Sequence, residues 1–202
     1  MTGAISILRI PDRHTWLRVA DTTWSLPLDP SWAARFGGRW NAPGSFPVLY
    51  LNEDLYTARA QIHALLRAWP ANPEDLREDA PYVLVLAGLP RRQDVADALS
   101  NDGLESLGLP PSYPLDARGD PVPHEPCHAI GTTVHAARLR GVWCRSAVTA
   151  DGSGRELAWF PSGPGARARS LGDPVPFALW WSAESVGALA DDVEVPMSDG
   201  GR

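Results

Sequence analysis

The chain has 202 residues, 44% of them apolar and 21% charged, with a formal net charge of −6. That length supports one domain with a sizeable core and is short for two, and the composition is that of a soluble folded protein rather than a disordered one. The acidic balance argues against a broad nucleic-acid surface, which needs clustered cations, and no run approaches the roughly 18 apolar residues of a membrane span.

The opening stretch, MTGAISILRIPDRH, has neither a long apolar core nor a small-residue cleavage site, so a cytoplasmic protein is expected. Arg35 to Asn41, RFGGRWN, reads as a turn entering a short strand or loop. Pro47 to Asn52 is an apolar run of strand length. Asn52 is a candidate N-cap, with Glu53 and Asp54 in the first turn, where the helix dipole favours acids. Leu55, Ala58, Ile62, Leu65 and Trp69 then recur at helical spacing, and Pro70 closes the helix. Pro81 to Pro90 predicts a strand buried on both faces.

Arg92 to Ser100 predicts a short helix. Pro110 to Pro126 carries six prolines and reads as a loop insertion draped over the surface. A helix is expected over His128 to Arg140, with Gly141 as its C′ residue. Val142 to Val148 and Glu156 to Phe160 predict a hairpin around the turn at Asp151 to Gly154. Pro176 to Trp181 reads as a last strand, and the tail beyond Ser182 as one short helix with a flexible end over 190–202. Together these predict an α+β fold: a single mixed domain over 1–202 with its core at about 15–181, a small sheet or sheet pair with surrounding helices.

The common cofactor motifs are missing: no Walker sequence, no complete dinucleotide-binding glycine fingerprint and no GxSxG elbow. Cys127 and Cys144 read as free thiols of a reducing compartment. His124, Glu125, Cys127 and His128 lie close together but not in a recognised zinc spacing, so no metal is predicted. Arg167 and Arg169 read as a solvated loop. The nine tryptophans are mostly core and rim packing, though such rings can also stack on a nicotinamide or an adenine.

The more informative cluster is Arg39, Tyr50 and Gln61. Two glycines precede Arg39, so backbone can approach a ligand there, and its guanidinium can grip a phosphate pair. Tyr50 sits near the end of the next strand, and Gln61 about two turns into the following helix. The same residues can equally be a surface ion-pair partner, a core ring and a solvated helix residue.

The order GGRWN, then a Pro-Val-Leu-Tyr strand, then an Ala-rich helix resembles the opening of RES-domain proteins, which are named for Arg, Glu and Ser positions. Arg39 matches the family arginine and Tyr50 its tyrosine. Gln61 stands where the family has its glutamate, eleven residues after that tyrosine. Ser146 in GVWCRSAV is the best match for the serine, Arg18 in TWLRVAD resembles the early arginine, and ELAWFP resembles the strand after the serine block. The resemblance implies a fold related to ADP-ribosyltransferases and NAD-consuming toxins, with NAD as substrate and the nicotinamide–ribose bond as the one cleaved. Water, phosphate or a protein side chain would accept the ADP-ribosyl group. In that scheme Arg39 and Arg18 bind the pyrophosphate, Trp40 or Tyr50 packs on the nicotinamide, and Ser146 hydrogen-bonds a ribose or the carboxamide. The glutamine leaves three outcomes open: another acid (Glu53, Asp54 or Glu156) stands in, the enzyme is slow or has a different substrate, or the protein binds NAD or a related nucleotide without cleaving it. An antitoxin chain and a second copy of this chain are the protein partners the resemblance and the aromatic content leave open.

Overall fold

The computed structural model describes residues 4–67, 73–76, 80–149, 151–161, 163 and 166–191. The strands are β1 (Ile7–Arg9), β2 (Trp16–Asp21), β3 (Leu49–Asn52), β4 (Tyr82–Gly88), β5 (Asp94–Ala98), β6 (Gly141–Arg145), β7 (Arg155–Trp159), β8 (Arg169–Ser170) and β9 (Val175–Pro176). They form one mixed sheet in the order β1-β5-β6-β7-β3-β2-β4-β8, with β9 also on β4. The helices are α1 (Ser31–Phe36), α2 (Leu55–Leu66), α3 (Asn101–Leu107), α4 (His124–Ala136), α5 (Phe177–Ser182) and α6 (Val186–Asp191). The chain is thus the mixed α and β domain its sequence predicts.

Alternation along the strands explains how the core divides. On one face, Ala96, Ala98, Val142, Cys144 and Ala158 receive Leu104 and Leu107 of α3 and Cys127, Ile130 and Val134 of α4. On the same face of the other half, Leu17, Val19, Leu84 and Leu86 receive Leu55, Ala58, Ile62 and Leu66 of α2 with Phe177 and Trp180 of α5. The opposite face buries Trp16, Leu49, Leu51, Val95, Leu157 and Trp159 together with Ile10.

The sheet has a seam. Strands β2 and β4 run in register from Trp16–Ala87 to Asp21–Tyr82, and β3 and β7 from Leu49–Trp159 to Asn52–Glu156. Between these pairs, β2 and β3 share only Leu17–Asn52 and then diverge. The Arg18 Nη1 fills part of the opening and donates to the Tyr50 carbonyl at 2.8 Å, taking the place of a ladder bond.

Several expectations are corrected. Arg92 to Ser100 holds strand β5 rather than a helix, because the segment pairs with β1 over 94–96 and with β6 over 96–98, and the small side chains of Ala96 and Ala98 let α3 and α4 approach. Asn52 belongs to the β3 ladder and does not cap α2. Asp54 does, its Oδ1 accepting from the Thr57 N–H at 2.7 Å. Leu65 is exposed, and Leu66 takes the buried position. Trp69 and Pro70 lie outside the described residues, as does the tail beyond Asp191. Helix α4 begins at His124, within the stretch read as insertion, and ends at Ala136, while Gly141 opens β6. The preceding loop is no surface drape: Tyr113 and Val122 are buried in the core. Finally, 177–182 is helix α5, seating Phe177 and Trp180 at helical spacing. The predicted hairpin forms as β6 and β7, and the single tail helix as α6.

Candidate active site

A cavity of about 310 Å³ opens where β2 and β3 part. Arg18, Arg39, Tyr50 and Gln61 line it, joined by Asp29, Trp32, Asn52 and Glu156. Its volume lies at the low end of the range of small-molecule sites.

Arg18 is half-buried, with its guanidinium 5.5 Å from the Trp24 ring centroid. Burial lowers its pKa to about 10, opposed by the charge of Asp29, so it remains a cation at neutral pH. Its Nε–H has no acceptor among the described residues. Arg39 stands on the loop after α1, where its Nη1 donates to the Val122 carbonyl at 3.0 Å. The proline-rich segment therefore positions the arginine.

The rest of that loop is clamped between β3 and α4. The Tyr50 hydroxyl accepts from the Trp40 N–H at 2.9 Å and donates to Asn41 Oδ1 at 2.8 Å. Burial pushes the Tyr50 pKa upward, so the hydroxyl stays protonated. From α4, the His128 ring nitrogen meets the Gly38 carbonyl at 2.8 Å. Two glycines make the clamp fit: a Cβ on Gly38 would lie 2.4 Å from the Tyr50 hydroxyl, and one on Gly131 would lie 1.8 Å from the Trp40 carbonyl oxygen.

The cavity floor is polar. Asn52 donates from Nδ2 to Gln61 Oε1 at 2.8 Å, and Glu156 is the register partner of Asn52 on β7. Ser146 donates its hydroxyl to Glu156 Oε1, while accepting from the Val148 N–H at 3.2 Å. Burial raises the Glu156 pKa, against the Ser146 hydrogen bond and the charge of Arg39, which lower it.

Two sequence-predicted residues stand elsewhere. The Trp40 ring is fully buried in the core, 6.0 Å from Tyr113, and does not line the cavity. Ser146 is fully buried behind Glu156 and reaches the site only through that carboxylate. Of the substitute acids, Glu53 accepts from Trp143 Nε1 at 2.9 Å and Asp54 caps α2, so Glu156 alone lines the cavity.

Asp29, Trp32 and Asn52 are site residues that sequence reasoning missed. The Asp-Pro-Ser turn that opens α1 was a readable signal: Asp29 Oδ1 accepts from the Ser31 N–H at 2.9 Å. Trp32, 64% exposed at the cavity mouth, packs against Phe36 with centroids 4.2 Å apart and the rings tilted by 40°.

Arg167 and Arg169 are exposed and line a separate groove with Arg13 and Arg91. Cys127 and Cys144 are free and buried. Among the described residues, no cluster of three or more His, Cys, Asp or Glu can hold a metal, and no helix is long and apolar enough to cross a membrane.

The arrangement can hold an anionic group between two arginines, a flat ring at the aromatic mouth and a hydroxylated sugar over an amide and carboxylate floor. No curated protein matches the chain. Among solved structures, a chain of the M. tuberculosis MbcT–MbcA toxin–antitoxin complex is similar, with a TM-score of 0.62 at 23% identity, over 83% of this chain and 87% of that one. The RES domain model matches residues 6–180, from β1 into α5 and so across every residue of the cavity, and the protein belongs to the RES-domain family.

Proposed function

We propose that the protein is a RES-type enzyme that cleaves NAD between nicotinamide and ribose, with water, phosphate or a protein side chain as acceptor. The observation that carries this reading is the convergence of Arg18, Arg39, Tyr50, Gln61 and Glu156 on one cavity beside the exposed Trp32. The arginines suit the pyrophosphate, since guanidinium forks match its oxygens. Trp32 and Tyr50 offer faces to the nicotinamide, and Asn52, Gln61 and Glu156 meet the ribose. NAD is the substrate, and no metal enters the reaction. The similar chain comes from a toxin–antitoxin complex, which supports a toxin acting in the cytoplasm with a separate antitoxin seated over the exposed mouth.

A second reading, a nucleotide-binding protein with weakened turnover, is favoured by Gln61, since an amide cannot offer charge to an oxocarbenium-like sugar. Incubation of the purified protein with NAD separates the two readings. Release of free nicotinamide over hours, reduced at least tenfold in Arg18→Ala and Arg39→Ala, is expected of the enzyme. Thermal stabilisation by NAD without release marks the binding protein. Undiminished release in both arginine variants sinks the site.

A further inference from the structure

We infer that Glu156 supplies from β7 the carboxylate that faces the reacting ribose, a place that α2 fills only with the neutral amide of Gln61. The inference rests on the NAD reading above and concerns the residue that performs it.

The placement is direct. Glu156 and Gln61 flank the same asparagine: Asn52 is the cross-strand partner of one and hydrogen-bonds the other. A carboxylate on β7 therefore reaches the same floor as a side chain on α2. Its orientation is fixed as well. Ser146 occupies Oε1, held in turn by the Val148 N–H, and no donor among the described residues binds Oε2. The Glu156 side chain is partly exposed, and the space it meets is the cavity.

Its electrostatic surroundings are those of a charge awaiting a partner. Arg39 is the cation whose field reaches it, and the two make no ion pair. Tyr50 on β3 and Cys144 on β6 also face it, and burial keeps both neutral. A poorly solvated carboxylate without an ion-pair partner is costly, and such groups concentrate where a ligand brings the opposite charge. The positively charged nicotinamide riboside supplies that charge.

As the glycosidic bond breaks, its electron pair leaves with the nicotinamide nitrogen, and positive charge grows on the ribose carbon beside Glu156. Water, the acceptor in the assay, adds its oxygen to that carbon. Its proton passes to the Glu156 carboxylate and on to solvent. Ser146 is a positioning residue in this scheme, and the exchange of Gln61 for glutamate is no precondition for turnover.

The test measures nicotinamide release and calorimetric NAD binding for the native protein, Glu156→Gln, Glu156→Asp and Gln61→Glu. The native protein is expected to release nicotinamide. Glu156→Gln is expected to bind NAD within a few-fold of native and to lose about 10² to 10³ in rate, the typical loss for one placed electrostatic contact. Glu156→Asp keeps the charge and should outpace the glutamine variant, which a purely structural role does not require. Native-like release by Glu156→Gln, or a slower aspartate variant, overturns the role of Glu156 while the NAD reading stands. Silence from both the native protein and Gln61→Glu overturns the NAD reading, whereas release by Gln61→Glu alone shows that the carboxylate belongs on α2 instead.

Discussion

Gly131→Ala sets helix propensity against packing. Gly131 lies inside α4, where alanine is favoured over glycine by about 1 kcal/mol on propensity alone. Its added Cβ, however, would sit 1.8 Å from the Trp40 carbonyl oxygen. Carbon and oxygen normally approach no closer than about 3.3 Å, so helix and loop must part by about 1.5 Å. Overpacking of this kind typically costs about 1–3 kcal/mol, and a backbone oxygen yields less readily than a flexible side chain. With roughly 2–4 °C per kcal/mol for a chain of this size, and propensity offsetting part of the cost, Tm should fall by roughly 2–8 °C. Because Trp40 adjoins Arg39 and is tied to Tyr50, the displacement should also reach the cavity. A misplacement of about 1 Å can cost about 10² in rate. Thermal melts and nicotinamide release on the same preparation provide the assay. A variant at least as stable as the native protein, with unchanged release, refutes the account of α4 as the clamp on the arginine loop.

Two further predictions follow from the same site. Tyr50→Phe removes the acceptor of the Trp40 N–H and the donor to Asn41, both within the buried loop. Stranding such groups costs about 1–3 kcal/mol, and Tm should drop by roughly 2–12 °C; a shift under about 1 °C contradicts the clamp. Glu156→Gln should melt higher than the native protein at pH 8. The folded state raises the Glu156 pKa, so its contribution to stability is full below the ordinary glutamate range and is lost as pH rises through the folded value. The difference should close below about pH 4, where both states hold the proton; a glutamine variant less stable at pH 8 means Glu156 is held there by native contacts rather than at their expense.

What was legible in the sequence was local. The glycine pair, the strand ending near Tyr50 and the helix bearing Gln61 follow one another without interruption, so the pattern allowed Arg39, Tyr50 and Gln61 to share one mouth, as they do, while the family resemblance singled them out. What was illegible depended on partners far away along the chain. The alanines of 94–98 favour a helix when read alone, and only pairing with β1 and β6 makes the segment a strand. Asn52 carries a good capping side chain, but its ladder with Glu156 claims it first. The Asn52–Glu156 register joins positions about a hundred residues apart, which no local pattern encodes. Trp40 misled because its neighbours belong to the site while its ring serves the core. The buried pair Phe177 and Trp180, three apart, was a helical signal that the apolar run obscured.

The seam between β2 and β3 has a mechanical consequence. A continuous ladder would resist spreading with every bond it contains, whereas this sheet is stitched by one residue pair and one arginine where the cavity opens. Helix α2 crosses the same line: it leaves the end of β3 and packs on β2 and β4, carrying Gln61 like a strap over a hinge. On the proposed function, a dinucleotide held at once by Arg18 on one bank and by Arg39 and Glu156 on the other would act as a rivet. It would couple two halves whose own backbone connection is weakest at that point, so that occupancy of the site and stiffness of the whole sheet would rise together.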